Sequence, residues 1–291
     1  MLENPGKKLR ELMAGPNILV APGVFNGFSA HLVNQSGFPM AYGTGGGCAA
    51  TILGAPDIGL ATMNDLVTNA SHMASILDIP LLYDADNGFG NALNVIRTVH
   101  EYEKAGVAGI HIEDQVMPKR CGHLGGKVLV SAEEHAMKIK AAANERYNKD
   151  FVICARTDAR AVEGFDAAID RSKRYIDAGA DVIFFEAIQS IDEMERVGKE
   201  LGCQIPLLIN MFCGGKTPPV KNKELEQMGY KIAIYGGVTL FPHMIAMKQG
   251  LDYLKEHDTD EGLLPDDING FDLYWQVTEH KKWQDLEKKY S

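Results

Sequence analysis

Residues 105–113 read Ala105-Gly106-Val107-Ala108-Gly109-Ile110-His111-Ile112-Glu113, and the same phrase returns along the chain. Its other copies are Ser36-Gly37-Phe38-Pro39-Met40-Ala41-Tyr42, Ala178-Gly179-Ala180-Asp181-Val182-Ile183-Phe184-Phe185-Glu186 and Met228-Gly229-Tyr230-Lys231-Ile232-Ala233-Ile234-Tyr235. In each copy a helix end meets a glycine, and a short apolar run follows. The glycine supplies the left-handed conformation with which helices commonly close. The run is too short for a helix and lacks polar alternation, which predicts a strand buried on both faces. Four more such runs lie at residues 18–20, 81–83, 152–155 and 207–209. The stretches between them predict helices over 28–34, 63–77, 94–104, 133–144, 165–177, 191–201, 222–227 and 240–255. Strands strictly alternating with helices make a parallel sheet covered by helices. Eight such units in 291 residues favour a closed (β/α)8 barrel over an open doubly wound sheet.

Composition narrows the function. Hydrophobic residues make up 45% and charged residues 23%, as in an ordinary globular protein. The net charge of -10 disfavours nucleic acid or an anionic membrane as partner. It leaves room for an anionic small molecule if a metal or local basic residues invert the field. The five cysteines, Cys48, Cys121, Cys154, Cys203 and Cys213, are spread widely, with neither disulfide nor zinc spacing, so a reducing cytoplasm is expected. The N-terminal MLENPGKKLRELMAG carries no apolar signal core, and no run has the length of a membrane span. No linker or low-complexity block divides the chain, so residues 1–291 read as one barrel domain with a C-terminal helical segment at about 268–291. Its amphipathic helix, 270–289, carries Phe271, Tyr274, Trp275, Val277 and Trp283. Either it packs on its own barrel or it is exchanged with a neighbouring subunit.

In such a barrel, chemistry gathers where the strands end. The second strand runs into Tyr42-Gly43-Thr44-Gly45-Gly46-Gly47, whose backbone N–H groups can bind an oxyanion. The third ends in Asp84-Ala85-Asp86; residues two apart on an extended chain share a face, so both carboxylates can address one ion. Glu113, Arg156-Thr157-Asp158, Glu186 and Asn210 close the next four strands. Several carboxylates at one rim repel one another unless a cation is present, and hard oxygen donors without a histidine cluster suit Mg²⁺ or Mn²⁺. Turn chemistry for the aspartate pair and a structural ion pair for Arg156 are the alternatives. After the fourth strand, Lys119-Arg120-Cys121-Gly122-His123 places a thiol among cations, which lowers its pKa, and Gly125 and Gly126 let the loop close over a ligand. The competing reading is a surface loop with one cysteine. His111 reads as a structural histidine, Cys48, Cys154 and Cys203 as core thiols, and Cys213 as a thiol that could line the site.

The phrases YGTGGG, LGAPDIG, DADNGFG, IEDQVMPKRCGH, ARTDA, FFEA and GGKTP together resemble the isocitrate lyase/phosphoenolpyruvate mutase superfamily over nearly the whole chain. KRCGH is specific to its carbon–carbon lyase branch. The resemblance implies Mg²⁺ (or Mn²⁺) with Asp84 as direct ligand and Asp57, Asp86 and Glu113 acting largely through water. It implies retro-aldol (Claisen-type) cleavage of a 2-hydroxy dicarboxylate. The Thr44-Gly45-Gly46 backbone would hold a substrate carboxylate, Tyr42 would help remove the hydroxyl proton, and Arg156 would stabilise the enediolate. Cys121 would protonate its carbon, beside Gly122 as a substrate contact. Glu186 and Asn210 would orient the second carboxylate, and Lys119 and His123 would set the loop's electrostatics. The resemblance also implies a cytoplasmic homotetramer of helix-exchanged dimers.

Within the branch, methylisocitrate lyases share GFG and AVEG with this chain but carry Glu-Phe-Gly where it has Met211-Phe212-Cys213-Gly214-Gly215-Lys216-Thr217-Pro218. GGKTP is instead similar to the group that handles two-carboxylate substrates, and Gly236-Gly237 stand where oxaloacetate hydrolases carry a serine. The expected reaction is therefore 2,3-dimethylmalate to propionate and pyruvate. 2-Methylisocitrate cleavage is the alternative, and oxaloacetate hydrolysis ranks below both. A pyridoxal phosphate or nicotinamide enzyme is disfavoured, because no strand ends in a Schiff-base lysine or a GxGxxG turn.

Overall fold

The computed structural model describes residues 2–122 and 124–291. Eight parallel strands close in sequence order into a barrel. They are β1 (Leu19–Val24), β2 (Ala41–Gly43), β3 (Leu81–Asp84), β4 (Gly109–Glu113), β5 (Val152–Thr157), β6 (Val182–Phe185), β7 (Leu207–Asn210) and β8 (Ile232–Tyr235). Closure is made by β1 against β8, with Leu19 opposite Ile232 and Pro22 opposite Tyr235. Around the barrel run α1 (Pro5–Ala14), α2 (Gly27–Gln35), α3 (Gly45–Cys48), α4 (Met63–Ile76), α5 (Ala92–Lys104), α6 (Ala132–Glu145), α7 (Phe165–Asp177), α8 (Ile191–Leu201) and α9 (Asn222–Gln227). The chain ends in α10 (Leu240–His257), α11 (Gly270–Val277) and α12 (His280–Tyr290).

The four repeated phrases end their helices as expected: Gly37, Gly106, Gly179 and Gly229 have φ of 75°, 82°, 99° and 94°. The helix starts are equally local. Asn26, Thr62 and Asn91 each form a capping box with the third residue of α2, α4 and α5.

The strands' period of two sorts the side chains. Tyr42, Leu82, Val152, Cys154, Val182, Phe184, Leu208, Ile232 and Ile234 fill the barrel, and Leu9 of α1 stoppers its N-terminal end. The alternate residues, such as Ile110, Ile112, Ile153, Ile183 and Ile209, pack outward against the helices. Each inward row, continued by one step, leads to the C-terminal rim.

Two expectations are corrected here. Cys203 is exposed, not a core thiol, because it lies just past the end of α8 in the turn before β7. The predicted helix 270–289 is two helices broken at Glu279, which has φ of 55°. Of this terminal segment only Val277 is buried, where its carbonyl accepts from Gln35 Nε2 of α2. The eighth barrel helix, α10, buries none of its residues. Among the described residues no helix is long and apolar enough to cross a membrane.

Candidate active site

The rim holds a cavity of about 220 Å³. Tyr42, Thr44, Gly46, Asp57, Asp84, Cys121, Gly122, Arg156, Glu186 and Asn210 line it, together with the apolar Ala50, Pro56, Phe212 and Leu240. Six strand ends and the loop after β4 thus converge, and parity explains why. Val152 and Cys154 point into the barrel, so Arg156 does too; the same step carries Leu82 to Asp84, Phe184 to Glu186 and Leu208 to Asn210. Gly45, Asp86, Glu113 and Lys119 are not in the cavity wall but stand directly behind it. His123 lies outside the described residues.

Arg156 is the hub. Its Nε and Nη2 donate to the two carboxylate oxygens of Asp158 at 2.9 and 3.2 Å. Glu113 and Glu186 each stand 3.4 Å away, and the guanidinium lies over the Phe184 ring. Burial works against its charge, but Asp158, Glu113 and Glu186 raise its pKa well above the usual arginine value. Glu186 is held in turn by the Ala187 N–H at 2.8 Å and by Asn210 Nδ2 at 3.4 Å.

The aspartates occupy a second cluster. Asp84 Oδ1 accepts the Asp86 N–H at 2.9 Å and lies 3.5 Å from His111 Nε2, which bonds the Tyr42 hydroxyl at 2.9 Å. Burial opposes ionisation of Asp84, yet the charges of His111, Lys119 and Arg156 hold its carboxyl below the ordinary value. Burial depresses His111 to about 4, so it is neutral near pH 7 and the lowering there rests on Lys119 and Arg156. Asp86 has a strained φ of 45° and a pKa raised to about 6, by burial first and by Asp84. Lys119 is buried; its ammonium bonds Asp57 and lies 2.8 Å from Asp86. These carboxylates raise its pKa well above that of a free lysine, against burial. Burial pushes Glu113 well up despite Arg156 and Lys119, and likewise the Tyr42 phenol, next to Asp84.

The Thr44–Gly47 turn forms as the N-terminus of α3, with Gly47 N–H donating to Thr44 Oγ1. The Gly45 and Gly46 N–H groups fall in its first turn, where no intrahelical acceptor exists. A Cβ on Gly45 would meet Asp84 Oδ2 at 2.6 Å, so only glycine lets the turn approach the carboxylate. Continuing the chain as a π-helical turn, Ala49–Leu53, brings it round to Asp57.

The donor set fits a hard divalent cation. The carboxylates of Asp57, Asp84, Asp86, Glu113, Asp158 and Glu186 outnumber the nearby cations, and Glu113 Oε1 is buried with no hydrogen-bond partner among the described residues. No three Asp, Glu, His or Cys side chains among the described residues are placed to ligate one ion directly. The set therefore suits an ion taken by one carboxylate and joined to the others through water, the coordination Mg²⁺ favours.

Some participants were not assigned from sequence. Lys127 and Asp158 pair at 3.0 Å with both side chains buried. Gln115 ties the loop down by exchanging bonds with the Arg120 backbone at 2.8 and 2.9 Å. His111, read as structural, is fully buried and bonded to Tyr42 within the site. Cys213 lines an adjoining apolar hollow with Phe212, Val238 and Phe241 rather than the polar cavity.

Residues 9–254 match the phosphoenolpyruvate phosphomutase family model. The chain belongs to this family, within the isocitrate lyase/phosphoenolpyruvate mutase superfamily. Among superfamily relatives, 2,3-dimethylmalate lyase of Eubacterium barkeri is 43% identical over 99% of both chains. A 2-methylisocitrate lyase of Aeropyrum pernix is 44% identical over 90% of this chain and 84% of its own. Oxaloacetate acetylhydrolase bound to 3,3-difluorooxalacetate superposes with a TM-score of 0.94 at 36% identity, covering 99% of this chain and 97% of its own. Phosphonopyruvate hydrolase, solved with oxalate and Mg²⁺, superposes with a TM-score of 0.88 at 26% identity over 99% of each chain. As a superfamily member with these lyase relatives, the protein is a carbon–carbon lyase.

Proposed function

We propose that the protein cleaves 2,3-dimethylmalate to pyruvate and propionate in the presence of Mg²⁺. The observation that carries the choice is the wall of the cavity. Among the described residues that line it, Arg156 is the only cation, and Ala50, Pro56, Phe212 and Leu240 add apolar surface to the wall. A substrate with two carboxylates and small methyl groups matches that wall. A third carboxylate, as in 2-methylisocitrate, would lose water there without gaining a partner.

Asp84 would hold the metal directly, and Asp57, Asp86 and Glu113 would hold its waters. When bound, the ion supplies Lewis acidity that lowers the pKa of the 2-hydroxyl. The first turn of α3 receives the 1-carboxylate. Tyr42 keeps its own proton at neutral pH, so it acts as a relay, accepting from the substrate hydroxyl while donating to His111. Loss of the hydroxyl proton and rupture of the C2–C3 bond leave pyruvate and the enediolate of propionate. Arg156, fixed by Asp158, faces that charge. Cys121 delivers its proton to C3 and completes propionate. Asn210 orients the departing carboxylate, Glu186 holds Asn210 and Arg156 in place around it, and Lys119 and His123 shape the field of the loop.

The 2-methylisocitrate lyase relative makes that substrate the second reading. The test is product analysis with each substrate, with and without chelator, beside calorimetric titration of Mg²⁺ into the metal-free protein. Equimolar pyruvate and propionate, lost with chelator and restored by Mg²⁺, would support the proposal. Succinate beside pyruvate would favour the second reading.

We further propose that the enzyme works as a homotetramer whose dimers exchange α10. The support is that α10 leaves Met244, Met247 and Leu251 between 56% and 66% exposed, a face that a monomer would offer to water.

A further inference from the structure

We infer that Lys127 is a positioning residue: its ammonium clamps the Cys121–Gly122 segment onto the Asp158–Arg156 pair, so that the proton donor and the enediolate-facing cation are set by one buried contact. The inference rests on the roles proposed above for Cys121 and Arg156.

The lysine is unusual for where it sits. It follows Gly125 and Gly126 in a loop, yet its side chain is 1% exposed. Lysine is almost never buried without a partner, and this one has two. Its Nζ donates to the Gly122 carbonyl and stands 3.0 Å from Asp158 Oδ1.

The two partners differ in kind. Asp158 directly follows β5 at the barrel rim. Its N–H donates to Asp114 Oδ1 at 2.9 Å, and Asp114 is itself gripped by Thr157 Oγ1 at 2.8 Å and by the Tyr175 hydroxyl at 2.9 Å. Asp158 then holds Arg156 through both carboxylate oxygens. Gly122 belongs to the loop, and its Cα lies so close to the site that a Cβ would meet Arg156 Nη2 at 2.5 Å and Glu186 Cγ at 2.6 Å. Lys127 therefore joins a fixed anchor to the loop at the residue next to the proton donor. Against burial, Arg156 and Lys127 together depress Asp158 to about 2, so the anchor stays charged throughout the working pH range.

A plainer role is charge balance for Asp158 alone. That role needs no bond to Gly122, and Arg156 already supplies a bidentate partner. The two roles separate by experiment on the full-length enzyme. Lys127→Met keeps the length of the side chain and removes the ammonium; Lys127→Gln keeps a neutral donor. Hydrogen exchange followed by mass spectrometry is the first readout, because it needs no substrate. The clamp predicts exchange at least about tenfold faster in Lys127→Met across residues 119–126, where the Leu124 N–H bonds the Cys121 carbonyl, and unchanged exchange in β5 and α1. Lys127→Gln should recover part of the protection. The second readout is the kinetic split: kcat should fall roughly a hundredfold, as expected for a misplaced catalytic group, while KM moves less than about threefold.

Loop exchange and kcat at wild-type values in Lys127→Met would overturn the clamp. So would faster exchange spread evenly over the barrel in both variants, which is the signature of a purely structural lysine. If none of the tested acids is cleaved but exchange rises only in the loop, the clamp stands and the substrate reading fails.

Discussion

Cys121 to Ser exchanges a thiol for a hydroxyl in a half-buried place on the cavity wall. A hydroxyl is a far weaker acid, so the variant should lose about 10²–10⁴-fold in kcat, the usual share of a positioned general acid, with no change in melting temperature. Undiminished pyruvate release would remove the role given to this thiol. Gly122→Ala is a sharper test of geometry, because the added methyl collides with Arg156 and Glu186. Activity should fall at least about tenfold in a folded protein. Most of this site was legible because inward parity is inherited along a strand: two buried apolar residues spaced by two announce where the next polar one points. Lys127 had no such rule. A loop side chain's direction depends on the contacts that fold the loop, and nothing in KRCGHLGGK says what its second lysine, Lys127, meets.

Among the elements, the helix-ending glycines carry the repeat. Gly106→Ala, at a φ of 82°, should cost about 1–2 kcal/mol, read as a lower urea midpoint at unchanged slope. A space-filling role alone would leave the midpoint in place, since a Cβ there meets only the Ala74 methyl at 3.8 Å. Between α6 and α7, His135 packs edge-on to Tyr175 at 4.6 Å, and burial, with Lys138 and Arg171 nearby, depresses it to about 3. The unfolded chain binds a proton at this residue below about pH 6.5, whereas the folded protein resists until about 3. Stability is therefore lost as pH falls through that window. His135→Phe should gain on the wild type by up to about 1.4 kcal/mol per pH unit below 6.5, measured by denaturant unfolding at several pH values. Parallel curves for the two proteins would refute the buried neutral histidine. Element order and type were readable from local signals, namely apolar runs, capping residues and closing glycines. The break at Glu279 was not, because the terminal segment has no glycine or proline at that point and its left-handed residue is a glutamate.

For the molecule as a whole, barrel closure follows from eight alternating units, but the fate of the eighth helix does not. The apolar residues of 240–257 read the same in the sequence whether they meet their own barrel or a neighbour's. Met247→Glu with Leu251→Glu places charges on one exposed face of α10. The double variant should sediment as a smaller species than the wild type and lose activity. An unchanged sedimentation coefficient would contradict the proposed exchange. The choice of substrate also belongs to the whole rim, since its walls come from loops after several strands. It is tested most directly by measuring kcat/KM for pyruvate release from 2,3-dimethylmalate and from 2-methylisocitrate, side by side with Mg²⁺ present. The cavity predicts a ratio of at least about tenfold in favour of dimethylmalate, the scale of one pocket contact. A ratio favouring 2-methylisocitrate would show that the apolar surface of Phe212 and Leu240 does not exclude a third carboxylate.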